Sequence, residues 1–141
     1  MAMEYVVTNN TPAPSPIGRA SILIVDDYEP TSRGLEFLFR DAGYEPTIFA
    51  EGLAALEYVQ DHKPIAAVID IHLPDISGLI VTQRLREILG PRAPIVILSG
   101  DASMEVLNSL PHVGATYFFR KPVSGAMLVE HFRERLADIA D

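Results

Sequence analysis

The 141-residue sequence contains no cysteine. That excludes disulfides, thiolate zinc sites and cysteine nucleophiles, and it favours the cytoplasm as the expected location. Positive charge is scarce: 11 Lys and Arg stand against 19 Asp and Glu, a formal charge of −8. The basic residues are scattered as Arg84 with Arg86, Arg120 with Lys121, and Arg133 with Arg135. No direct nucleic-acid partner is therefore expected, since phosphate neutralisation needs clustered Lys and Arg. No hydrophobic run approaches a membrane span, and no signal-peptide pattern opens the chain, so no membrane partner is expected. No G-x-G-x-x-G follows the first apolar run, and acids sit where phosphate would dock, which disfavours a dinucleotide or flavin binder.

Nearly half the residues are hydrophobic, enough for one well-cored domain. Residues 1–19 carry proline-spaced Thr11-Pro12-Ala13-Pro14-Ser15-Pro16 and read as a flexible tail or linker. Residues 20–141 alternate two kinds of pattern. Apolar runs at Ser21–Val25, Thr47–Phe49, Ile65–Asp70, Pro94–Leu98 and Thr116–Phe119 predict five strands. Between and after them, Leu35, Leu38, Phe39 and Ala42, then Ala54, Ala55, Leu56 and Val59, follow helical spacing. The same holds for Leu79, Ile80, Leu85, Ile88 and Leu89, for Val106, Leu107 and Leu110, and for Met127, Leu128, Phe132 and Leu136. Pro30 opens the first helix, Gly43 closes it, and Lys63-Pro64 is expected to end the second. The alternation predicts an α/β, flavodoxin-like (βα)5 three-layer sandwich, with a parallel five-stranded sheet in the order 2-1-3-4-5.

Polar residues end four of the apolar runs: Asp26 and Asp27, Asp70, Ser99 and Lys121. In a parallel sheet these ends share one edge, and the expected order puts the first and third strands side by side. Three neighbouring carboxylates repel and raise one another's pKa values. A hard divalent cation relieves the repulsion, and Mg2+ suits oxygen ligands better than zinc does. Lys121 can pair with a carboxylate or a phosphate oxygen, and Ser99 can donate to the same group. Together they point to phosphoryl transfer onto an aspartate.

The motifs Ile24-Val25-Asp26-Asp27, Asp70 with Leu73-Pro74-Asp75 and Gly78, Leu98-Ser99-Gly100, and Lys121-Pro122 occur in order at these strand ends. With them the chain resembles a response-regulator receiver domain of two-component signalling, CheY-like, from about residue 20 to 140. The resemblance implies that Asp70 is the phosphoacceptor. It implies that Asp26, Asp27, Asp70 and the backbone carbonyl of His72 hold Mg2+, and that Ser99 and Lys121 contact the phosphoryl oxygens. Ser99 and Phe118 would form the switch, the Lys121-Pro122 bond would be cis, and His72 and Asp101 would tune the lifetime of the phosphate. Phe118 stands where Tyr is commoner, and Val123 where Phe is common. The implied partners are a histidine kinase or phosphotransfer protein and a downstream effector protein. A homodimer through the fourth-helix, fifth-strand and fifth-helix face is also implied. Catalysis would be limited to self-catalysed phosphoryl transfer and autodephosphorylation. The protein would be a stand-alone regulator, or a receiver cut from a hybrid kinase or longer regulator.

Other readings compete. A haloacid-dehalogenase-like phosphatase also uses a strand-end Asp with Mg2+, but it would carry a second Asp where His72 stands. A non-phosphorylated interaction module on the same fold has no need of the acid cluster. Taken alone, Asp26-Asp27 could merely cap the first helix. Phe118 could simply be core. His72 is expected to be exposed, and His62, His112 and His131 are expected at the surface.

Overall fold

The structure is a computed structural model that describes residues 19–140, with side chains described through residue 138. Apart from Arg19, the proline-spaced tail lies outside the described residues. The elements run β1 (Ser21–Val25), α1 (Glu29–Asp41), β2 (Glu45–Phe49), α2 (Gly52–Tyr58) and β3 (Ala66–Asp70). They continue through α3 (Gly78–Leu89), β4 (Ile95–Ser99), α4 (Met104–Val113), β5 (Tyr117–Arg120) and α5 (Gly125–Ala140). All strand pairs are parallel, in the order β2-β1-β3-β4-β5.

The near-continuous apolar runs of β1, β3 and β4 follow from burial on both faces of the sheet. Alternation along each strand divides the interior in two. Leu23, Val25, Ala67, Ile69, Ile95 and Ile97 meet α2, α3 and α4 through Leu56, Val81, Leu85 and Val106. Ile22, Ile24, Ala66, Val68, Val96 and Leu98 meet α1 and α5 through Leu35, Phe39, Leu128 and Phe132. Phe39 and Phe132 touch edge to face, with ring centroids 5.5 Å apart.

Several local expectations shift. Pro30 is the second helical residue, because Glu29 already belongs to α1. Gly43 takes a positive φ of 97° just past the C-cap, as a helix-ending glycine does. Helix α2 stops at Tyr58, well before Lys63-Pro64. The amides of Gln60 and Asp61 bond back three residues, to the carbonyls of Glu57 and Tyr58, and these tighter turns close the helix first. Ile80 and Met127, placed on apolar helix sides by spacing, are 42% and 65% exposed. Periodicity marks the centre of a buried stripe but not its edges, which depend on what packs alongside.

Candidate functional site

Four of the five strands deliver a polar end to the carboxyl edge of the sheet. Asp70 is the last residue of β3, Ser99 the last of β4, Asp26 follows β1 and Lys121 follows β5. Asp26 and Asp70 are buried, and Asp27 is exposed. Each of the three acids offers a carboxylate oxygen within 4.8 Å of the other two. Lys121 Nζ lies 2.9 Å from Asp26 Oδ2 and 3.3 Å from Asp70 Oδ2. The backbone holds the inner acids as well: Tyr28 N donates to Asp26 Oδ1 at 2.9 Å, and His72 N donates to Asp70 Oδ1 at 3.3 Å. Asp26 thus braces the turn into α1 and does not act as its N-cap, a position that Tyr28 occupies.

The electrostatics follow from burial and charge. Burial, and then the Asp26 carboxylate, push the Asp70 carboxyl above its ordinary range; Lys121 and the His72 amide pull it back only in part. Burial would lower the Lys121 ammonium, but its contact with Asp26, the charge of Asp26 and then Asp70 outweigh that and raise it. One ammonium therefore faces three carboxylates, and the site keeps an excess of negative charge. Among the described residues, Asp26 Oδ2 is buried without an aligned hydrogen-bond partner; its contact with Lys121 is an ion pair. An all-oxygen donor set, an excess of negative charge and a buried oxygen with coordination to spare fit a hard divalent cation.

Residues 22–133 match the family model of the response regulator receiver domain. The chain belongs to the response-regulator receiver family. The receiver is 40% identical over 103 residues to the photosynthetic apparatus regulatory protein RegA of Rhodovulum sulfidophilum, a match covering 72% of this chain and 55% of RegA. It is 30% identical over 122 residues to the sensory/regulatory protein RpfC of Xanthomonas campestris pv. campestris, covering 84% of this chain and 16% of RpfC. The chain thus spans about half of RegA and a small part of RpfC. The structure of a CheY-like response regulator receiver domain protein from Methanospirillum hungatei JF-1 is similar with a TM-score of 0.80 at 28% identity, covering 85% of this chain and 95% of that one. The matched region is a receiver domain, the phosphorylatable signalling unit of two-component systems. Receivers in general bind Mg2+ at an acidic pocket and interact with histidine kinases and effectors. No helix among the described residues is long and apolar enough to cross a membrane.

The rest of the receiver's carboxyl edge is tied together. Ser99 is fully buried, and its Oγ accepts from the Asp101 amide at 3.1 Å. Asp101 Oδ1 accepts from Ser103 N at 3.0 Å, and the Ser103 hydroxyl caps α4 by accepting from Val106 N. Asp101 Oδ2 lies 3.5 Å from His72 Nε2, so these two exposed side chains meet across the mouth of the site. The Lys121-Pro122 bond is cis, and Lys121 N donates to the Ser99 carbonyl at 2.9 Å. Phe118 is half-buried, in register with Ile97, and packs on the α2-α3-α4 side of the sheet.

Four features escaped sequence reasoning. Lys121 approaches Asp26 more closely than Asp70. The Tyr28 ring stands 5.8 Å from Lys121 Nζ, within cation–π range. Asp75 accepts from the amides of Gly52 and Leu53 at the start of α2; an acid beyond the strand end was visible, but nothing pointed to residues so far upstream. His131, expected at the surface, is half-buried among Tyr117, Phe119 and Phe132. Its helix turns that face onto the edge strand, where the rings of Tyr117 and Phe119 lie against it. By contrast His62 and His112 are exposed, as expected. Gly78 also gains a reason, because a Cβ there would overlap the Asp70 carbonyl.

Proposed function

We propose that Asp70 accepts the phosphoryl group from a histidine kinase or phosphotransfer protein in the cytoplasm, residues 20–141 acting as the receiver unit. The observation that carries the reading is the convergence of Asp26, Asp27 and Asp70 within 4.8 Å, with Lys121 3.3 Å from Asp70. Asp26, Asp27, Asp70 and the His72 carbonyl would hold Mg2+, which when bound supplies positive charge against the transferring oxygens. An Asp70 carboxylate oxygen attacks phosphorus as the donor's P–N bond breaks, the imidazole leaving with the bonding pair. Lys121, freed from Asp26, turns to a phosphoryl oxygen, and the Ser99 hydroxyl donates to another. Catalysis is positioning and charge neutralisation by the domain itself, for phosphorylation and for the later loss of the phosphate.

Ser99 and Phe118 carry the switch. The Ser99 hydroxyl leaves the Asp101 amide for the phosphoryl group, and Phe118 follows inward, biasing the α4-β5-α5 face between two states. A downstream effector reads that face, which is also the surface for a homodimer. His72 and Asp101, paired at the mouth, set the lifetime of the phosphate by controlling the approach of water.

The test is intact-protein mass after incubation with acetyl phosphate, with and without Mg2+, for the wild type and Asp70→Asn. A single Mg2+-dependent phosphoryl adduct, absent from Asp70→Asn, is expected. An equal adduct in Asp70→Asn, or none in the wild type, would overturn the assignment.

A further inference from the structure

The segment 71–77 leaves β3 at Asp70 and re-enters α3 at Gly78. It carries His72, whose amide bonds to Asp70 and whose carbonyl belongs to the ligand set proposed above. Two backbone bonds close it at its base, with Gly78 N and Leu73 N both donating to the Ile71 carbonyl at 2.7 and 3.2 Å. Further out, the Asp75 side chain ties it to helix α2. Asp75 Oδ1 accepts from Gly52 N at 2.9 Å and Oδ2 from Leu53 N at 2.8 Å. Helix α2 has no cap of its own, since the Glu51 side chain at its N-cap makes no capping bond. Both oxygens of Asp75 therefore satisfy amide donors that the helix leaves open. The fit is close. A Cβ on Gly52 would come within 2.6 Å of Val81 Cγ2 and 2.9 Å of Ile76 Cγ1, so the start of α2 lies flush against the segment and α3. The charge on Asp75 is held in place: the amide of Leu53 foremost keeps its carboxyl below the usual range.

We propose that Asp75 is a positioning residue for the metal site: by clipping segment 71–77 to the N-terminus of α2, it holds the His72 carbonyl where the cation requires it. The inference rests on the reading of Asp26, Asp27, Asp70 and the His72 carbonyl as Mg2+ ligands. Asp75 touches neither cation nor phosphoryl group. It acts through the backbone, as outer-sphere partners of metal ligands do, and removing such partners costs about tenfold or more in metal affinity.

The experiment is Mg2+ titration by calorimetry on the wild type, Asp75→Ala, Asp75→Asn and Asp27→Asn. Amide exchange at Gly52, Leu53 and residues 71–77 without metal, and thermal melting, accompany it. Asp75→Ala is expected to weaken Mg2+ binding about tenfold and to speed exchange at Gly52, Leu53 and His72. Asp75→Asn, whose amide oxygen can still accept one of the two bonds, is expected to fall between Ala and the wild type. It carries the test if the Ala variant does not fold. A purely structural cap would lower the melting temperature and open Gly52 and Leu53 while leaving Mg2+ affinity within about twofold of wild type. That result overturns the proposal, while a loss of binding in Asp27→Asn leaves the ligand reading standing. A wild type that binds no Mg2+ overturns both.

Discussion

β3 and β5 lie in the same sheet one strand apart, and they are built differently. All five residues of β3 are buried, and the strand is flanked by β1 and β4 and covered on both faces. β5 is an edge strand of four residues with no fully buried member, and Tyr117 is 46% exposed. The helices repeat the contrast. Helix α1 buries Ser32, Leu35 and Phe39, and Phe39 meets Phe132 of α5, whereas α4 buries Val106 alone. The acids whose geometry must persist stand on the heavily packed centre, whereas α4 and β5, two of the three elements of the face proposed to move, are lightly packed. A region with few buried apolar contacts opens at low free-energy cost, which suits a switch. Close packing at the centre keeps the buried carboxylates from relaxing apart, despite the burial and then the Asp26 charge that drive Asp70 upward.

Three perturbations would break or sharpen that contrast. The largest is Phe132→Ala at the packed face, where the ring is fully buried. It is expected to cost about 3–5 kcal/mol, read as a fall in the urea midpoint. A loss below about 1 kcal/mol would mean that the aromatic face does not anchor the domain. Next is Val106→Ala, which removes the one buried side chain of α4. Here the expected loss is about 1–2 kcal/mol. Faster amide exchange should be confined to α4 and β5 while β3 is unchanged. Exchange that rose equally in β3 would show that the edge is no separate cooperative unit.

The smallest effect is expected at the seam between the two regions. Burial, and then the Arg135 guanidinium, hold His131 below its ordinary pKa, while Glu134 pulls the other way. Its ring lies against Tyr117 and Phe119 of the edge strand and Phe132 of the core, and among the described residues its Nε2 has no hydrogen-bond partner. The native state therefore favours neutral His131. Above the ordinary histidine pKa of about 6.5 both states are neutral and the group contributes nothing to pH dependence. Below it the unfolded chain takes up the proton first, so stability falls on acidification until the native pKa is passed. Urea midpoints at about pH 7.5 and 5.5 should fall further in the wild type than in His131→Gln. Equal falls would place the pH dependence elsewhere.

The buried runs Ile22–Val25, Ala66–Ile69 and Ile95–Leu98 were legible because a strand buried on both faces must be apolar throughout. Asp26, Asp70 and Ser99 were legible for the complementary reason, since a polar residue ending such a run stands out and a parallel sheet collects those ends at one edge. The ends of α2 and the outward turns of Ile80 and Met127 were not, because helix edges and stripe limits are set by neighbours that periodicity does not name.

The amino-acid sequence by itself determined the alternation of strand and helix, the parallel sheet, and the gathering of acids, hydroxyl and ammonium at one edge. These depend on local hydrophobic period and on where each period breaks. Only the tertiary structure decided which charges meet. Lys121 lies 51 residues from Asp70, and Asp75 lies 23 from Gly52. His131 could be placed against Tyr117 and Phe119 only once α5 had docked on β5. Contacts between side chains so far apart along the chain are set by how whole elements pack, and local pattern records which face of an element is buried, not which partner it meets there.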